Sequence, residues 1–179
     1  TENNFNFRDI SFNTNKINFL SVRLNIKKNK KDYLIEGNIR NKNSLLNDQL
    51  LQIIKLRYPQ FDLINTNFES NTDFSLNIND KQKVENLTLN SNILIDSSQY
   101  TRNDLISKNI LQINDLIDLK DHEIKVSYVN KKLSIKGKGE IKLLDKFDTI
   151  DYEFFKIGSN FDLVSNIKLS KLNIKNQNL

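Results

Sequence analysis

Cysteine, methionine and tryptophan are absent from this 179-residue chain, proline occurs once and histidine once. Without cysteine there can be no disulfide framework and no thiolate metal site, and the chain suits any redox compartment, including an oxidising one. No apolar run approaches the roughly 18 residues that a membrane-crossing helix needs. No charged-then-apolar leader opens the sequence. The start at Thr1-Glu2-Asn3-Asn4, with no initiating methionine, reads as a piece of a longer protein. A metal centre would want several imidazole or thiolate ligands, but the one histidine, His122, lies between Asp121 and Glu123 and reads as an exposed loop residue.

What the chain does have is strict two-residue alternation. Leu20, Val22, Leu24 and Ile26 alternate with Ser21, Arg23, Asn25 and Lys27. The same beat returns at Phe74, Leu76, Ile78; at Ile124, Val126, Tyr128; at Ile150, Tyr152, Phe154; and at Ile167, Leu169. Such a strand has one apolar and one wet face. Hydrophobic residues are 37% of the chain and the mean hydropathy is -0.55, as in a soluble protein. The excess of Asn, Lys and Ile carries the mark of an AT-rich genome, so Asn-rich stretches are discounted as functional signals.

Coarse elements follow. A long strand over 17–28 turns at Lys27-Lys28-Asn29-Lys30-Lys31 and returns through Tyr33, Ile35, Gly37 and Ile39 as an antiparallel hairpin. Over 44–57 the period changes to three and four, with Leu46, Leu50, Ile53 and Ile54 on one stripe, which predicts a helix ended by Pro59. Strands resume at Phe61–Leu63 and at 74–78, then turn at Asn79-Asp80-Lys81. Leu87, Leu89, Ile93 and Ile95 read as one long strand in which Ser91 takes an apolar slot. Residues 99–120 read as strand plus loop. A second hairpin joins 124–128 to 133–137 through Asn130-Lys131-Lys132, and 150–156, 161–169 and 172–175 finish the pattern. The expected architecture is a single, mainly β domain: a curved antiparallel meander of roughly ten strands with one short helix.

Candidate chemistry is thin. The net charge of +5 comes from 27 basic and 22 acidic residues. The dense cluster at 27–31 reads as a solvated turn, with a nucleic-acid patch or a loop near anionic headgroups as the sharper alternatives. Asp115, Asp118 and Asp121, and Asp145, Asp148 and Asp151, are three apart, which on a strand does not bring them to one face. Gly137-Lys138-Gly139 lacks the third glycine and the helix of a nucleotide loop and reads as a bend. No catalytic, metal or cofactor site is expected, and the chain does not read as an enzyme.

One helix cannot cover so many one-sided strands. Either the sheet folds onto a second sheet as a sandwich or barrel, or it curls into a trough with an open apolar lining. Residues 132–143 (KLSIKGKGEIKL) and 147–154 (FDTIDYEF), continued by 161–174 (FDLVSNIKLSKLNI), resemble the C-terminal repeat region of AsmA-like proteins, the superfamily that includes YhdP and TamB. That resemblance implies a segment of a long periplasmic β-groove, in a parent protein anchored in the inner membrane of a Gram-negative envelope. It implies phospholipid as the partner, moved between inner and outer membranes in outer-membrane biogenesis, with flanking segments of the same chain continuing the groove. The helix at 44–57 departs from a pure repeat. The lining would be Leu20, Val22, Leu24, Ile26, Phe74, Leu76, Ile78, Leu87, Leu89, Ile124, Val126, Tyr128, Leu133, Ile135, Ile141, Leu143, Ile150, Tyr152, Phe154, Phe161, Leu163, Ile167 and Leu169. The alternative is a closed sandwich or barrel serving as an adhesin or protein-interaction module.

Overall fold

A computed structural model describes residues 3–14, 17–29, 31–46, 51–52, 63–101, 116–143 and 145–168. They hold nine strands: β1 (Asn4–Thr14), β2 (Ile17–Lys28), β3 (Asp32–Leu45), β4 (Leu63–Asn79), β5 (Val84–Thr101), β6 (Leu116–Val129), β7 (Lys132–Lys142), β8 (Phe147–Ile157) and β9 (Asn160–Lys168). The strands lie in chain order in one antiparallel sheet, with β1 and β9 at its edges. This is the antiparallel meander that the alternation predicts, and the sheet is open, with nine described strands where roughly ten were expected. The stretch 172–175 lies outside the described residues, as does Leu169.

The turns follow local chemistry. Asn130 and Lys131 both have positive φ, forming the two-residue loop whose twist suits a hairpin. Asn79 Oδ1 accepts hydrogen bonds from the amides of Lys81 (3.0 Å) and Lys83 (2.9 Å), closing the β4–β5 turn in the way Asn side chains favour. Gly158, at φ 62°, opens the two-residue link from β8 to β9.

The predicted helix over 44–57 is corrected at its start. Ser44 and Leu45 belong to β3 and pair with Phe68 and Asn67 of β4. Leu51 and Gln52 are helical, and the rest of that stretch lies outside the described residues. The strand reading of 99–101 and 116–120 holds, and 102–115 lies outside the described residues.

Alternation is interrupted by a recurrent device. Asp9, Asn43, Asn65, Asn86 and Asp121 all sit inside strands at φ between 42° and 52°. Asn and Asp tolerate this left-handed region better than other side chains. Asn43, Asn65, Asn86 and Asp121 each insert an extra residue against a neighbouring strand and shift the phase by one, whereas the β1–β2 register runs unbroken past Asp9. Register shifts in the β3–β4, β4–β5 and β6–β7 ladders fall at Asn43, Asn65, Asn86 and Asp121. Five Asn and Asp residues of this Asn-rich chain thus have a backbone role that composition alone hides.

Candidate functional site: the inward face

Cross-strand partners share a face of the sheet, so the pairing register sorts every strand residue. One row runs through Phe7, Leu24, Gly37, Phe74, Leu89, Tyr128, Leu133 and Lys156, reaching the β9 backbone at Phe161. The next runs through Ile39, Thr72, Ser91, Val126, Ile135, Phe154 and Leu163. A third holds Ser70, Ile93, Ile124, Gly137, Tyr152 and Ser165. Toward the first hairpin, Phe5, Ile26, Ile35 and Leu76 form another row, followed by Tyr33, Ile78 and Val84. Leu87 precedes Leu89 by two and shares its face. Ile141 lies between Leu119 and Asp148, and Ile150 between Gly139 and Ile167.

Most of the expected lining is therefore brought to one face. The exceptions have a physical cause. A bulge between Leu20 and Arg23 shifts the phase of β2. Leu20 consequently stands opposite Ser11 and Arg40 on the outward face, exposed, and leaves the lining. Val22 lies within the bulge itself. Leu143 follows the last residue of β7 and joins no row.

The inward face is not uniformly apolar. Ser21, Asn41, Ser44, Thr66, Ser91, Ser98 and His122 are all buried on it. Two cross-strand pairs join them, Thr66 with Ser98 (2.6 Å) and Thr72 with Ser91 (2.7 Å); within β3, Ser44 donates to Asn41, and Ser21 donates to the Arg23 carbonyl. Ser91 does occupy the apolar slot expected of it. Small hydroxyl side chains fit where the face is crowded, and their mutual bonds offset the cost of burying them.

Three glycines are covered by rings from neighbouring strands. A Cβ on Gly37 would lie 2.9 Å from the Phe74 ring, one on Gly137 would collide with the Tyr152 ring, and one on Gly139 would lie 2.5 Å from His122. The Gly-Lys-Gly segment is therefore two adjacent notches for aromatic rings on an unbulged strand, instead of a bend. Ring-over-glycine pairing restores the packing that a bare glycine loses in a sheet.

His122 is 4% exposed, inside β6, which corrects its reading as an exposed loop residue. It continues the phase of Tyr128, Val126 and Ile124, a signal already present in the sequence. Its Nε2–H donates to the Glu140 carbonyl at 2.9 Å, which leaves Nδ1 to accept from the Tyr152 hydroxyl at 3.5 Å. Burial pushes the imidazole below its ordinary value, against the smaller raising effects of that carbonyl and of Asp121. Burial likewise pushes the Tyr152 phenol up. The pair is neutral at pH 7 and sits under a carbonyl and two glycines, with no nucleophile on it.

The outward face is wet and charge-paired. Lys136 meets Glu153 and Lys138 meets Glu123, each at 2.9 Å. Asn38 bonds Asn71 and Asp73 at 2.8 Å, and Arg40 bonds Asn38. Among the described residues no three His, Asp or Glu side chains gather to hold a metal ion, and no helix is long and apolar enough to cross a membrane. No family model, no curated protein and no solved structure matches the chain.

Proposed function

We propose that this chain is a segment of an AsmA-like β-groove that binds phospholipid acyl chains on its inward face and conducts them across the periplasm, between inner and outer membranes. One observation supports the reading: nine strands carry rows of mostly apolar residues on one face, interrupted by small buried polar groups, and the described residues supply no second layer to cover it. Inward residues at its margins stand open, Leu163 at 64% and Phe5 at 52% exposure. Apolar surface of this extent on a folded chain marks a ligand, partner or membrane contact. Each methylene of an acyl chain moved from water onto such a surface gains about 0.8 kcal/mol. The gain is additive along the chain and indifferent to headgroup, so the mechanism is passive. Acyl chains lie along the rows while headgroups stay in water. No catalytic residue and no cofactor are required, and the chain acts as a conduit instead of an enzyme. The parent protein would carry the inner-membrane anchor, and flanking segments would extend the trough.

The test is mass spectrometry of lipids that co-purify with the chain from a Gram-negative host. Phospholipid is expected in the wild type and lost from Val126→Glu/Phe154→Glu, which places two charges in one inward row. A wild type that is folded, stable and free of lipid would overturn the reading. That result would favour the adhesin or interaction-module alternative, in which the inward face closes against protein.

A further inference from the structure

A meander in chain order places every second connection at the same end of the sheet. The turns β2–β3, β4–β5, β6–β7 and β8–β9 thus share one rim. Lys28 and Lys31 lie at the first turn, Lys81 and Lys83 at the second, and Lys131 and Lys132 at the third, all six exposed. Acidic groups on this rim are fewer, and two are engaged: Asp32 accepts from Asn77 at 2.6 Å and Glu85 from Asn79 at 2.6 Å. At the opposite end, the sequence of the connections 46–62, 102–115 and 143–146 carries equal numbers of cations and anions, with Lys16 in the short 15–16 link. At the rim, the six exposed lysines outnumber Asp32, Asp80 and Glu85, the acidic residues of the same turns.

The rim also bears aliphatic side chains in the open. Val84 and Ile157 are each 58% exposed, and Val129 is exposed beside the Asn130–Lys131 turn. Strands lie roughly 4.8 Å apart, so successive hairpin tips are spaced by about 10 Å. The four tips form a line about 30 Å long, mixing lysine with aliphatic groups.

We infer that this rim docks on an anionic membrane surface, lysines against lipid phosphates and Val84, Val129 and Ile157 at the headgroup boundary. The charge is complementary to such a surface, and exposed aliphatic groups beside lysines are the composition of interfacial contacts. A nucleic-acid site of this size would instead present aromatic stacking platforms among the lysines. Here the exposed rings near the rim are Tyr33, with Lys28 Nζ over it at 5.8 Å, and Phe5 opposite Ile26, and both belong to the apolar inward rows instead of forming a series of platforms among the lysines. The inference does not depend on acyl-chain binding by the inward face.

The experiment is co-sedimentation of the chain with vesicles of phosphatidylcholine containing phosphatidylglycerol, against vesicles of phosphatidylcholine alone. Binding is expected only to the anionic vesicles and should weaken steeply between 50 and 500 mM salt. Each lysine near a charged surface contributes about fivefold in partitioning, so Lys28→Gln/Lys31→Gln and Lys81→Gln/Lys83→Gln should each lose about 25-fold with unchanged circular dichroism. Val84→Ser/Ile157→Ser should weaken binding at high salt, where charge is screened. No anionic-vesicle binding by the wild type, or lysine variants that bind as the wild type does, would overturn the inference. So would salt-sensitive binding to a 20-base-pair duplex without vesicle binding. Lipid co-purification without vesicle binding would defeat this docking surface alone and leave the groove reading standing.

Discussion

Replacing Gly139 by alanine is expected to destabilise the sheet, and the cost should disappear when His122 is removed as well. The new Cβ would lie 2.5 Å from His122 Cγ and Cδ2 and 2.8 Å from Nδ1, whereas carbon atoms pack comfortably at about 3.5–4.0 Å. The ring must therefore shift by about 1 Å. The bond from His122 Nε2 to the Glu140 carbonyl, now 2.9 Å, would then be lost or strained. That costs about 1 kcal/mol, and overpacking a filled site costs a further 1–3 kcal/mol or so. Opposing this, alanine restricts the unfolded chain and gains about 0.4–1 kcal/mol. The net expectation is a loss of about 1–3 kcal/mol, read as a lower urea midpoint by far-UV circular dichroism. In a His122→Ala background the notch is empty, only the favourable effect survives, and Gly139→Ala becomes neutral or stabilising. The double-mutant cycle should give a coupling above about 1 kcal/mol. Additive effects within about 0.5 kcal/mol, or a Gly139→Ala chain as stable as the wild type, would refute the ring-in-notch reasoning.

Three further outcomes are expected. Because burial holds the His122 imidazole below its ordinary value near 6.5, the unfolded chain takes up a proton first as pH falls. Stability is thus full above about pH 6.5 and is lost as pH drops from there through the folded value; urea midpoints between pH 8 and 5 should fall for the wild type and less for His122→Gln. At the bulge residue Asn65, with φ 51°, glycine should be tolerated or mildly stabilising, while valine should cost about 1–2 kcal/mol or more; equal stability of the two variants in thermal melts would contradict the bulge. Thr66→Val strands the buried Ser98 hydroxyl that it now meets at 2.6 Å and should cost about 1–3 kcal/mol, whereas Thr66→Val/Ser98→Ala should recover part of that loss.

Much of the architecture is legible in the sequence because a half-buried strand needs alternation, and this chain alternates nearly throughout. The hairpins at 17–39 and 124–137, the long β5 with Ser91 facing inward, and the meander order follow from it, whereas alternation fits an open sheet and a closed one equally. Bulges are what hides the rest. Strict alternation would put Leu20 with Leu24, but the extra residue in β2 turns Leu20 outward. Asp121 does the same work in β6: beyond it the inward positions are Leu119 and Ile117, one step out of phase with His122. His122 looks exposed because Asp121 and Glu123 flank it, yet a strand hides every second residue whatever its neighbours are. The asparagines at bulges cannot be told from asparagines at ordinary surface positions by composition. The three glycines are legible only in pairs, since each notch is defined by a ring on another strand: Phe74, Tyr152 or His122.

The absence of cysteine from the chain makes a direct test of the inward face simple. Ile135→Cys and Lys136→Cys are adjacent on β7, the first paired with Val126 and Phe154 on the inward face, the second with Lys125 and Glu153 on the outward face. Each variant is labelled with a small fluorophore and titrated with a spin-labelled fatty acid. Strong, saturable quenching at position 135 and little at 136 is the expected result. A label at 135 that cannot be attached to the folded chain, or quenching that is equal at the two positions, would contradict an inward face open to acyl chains.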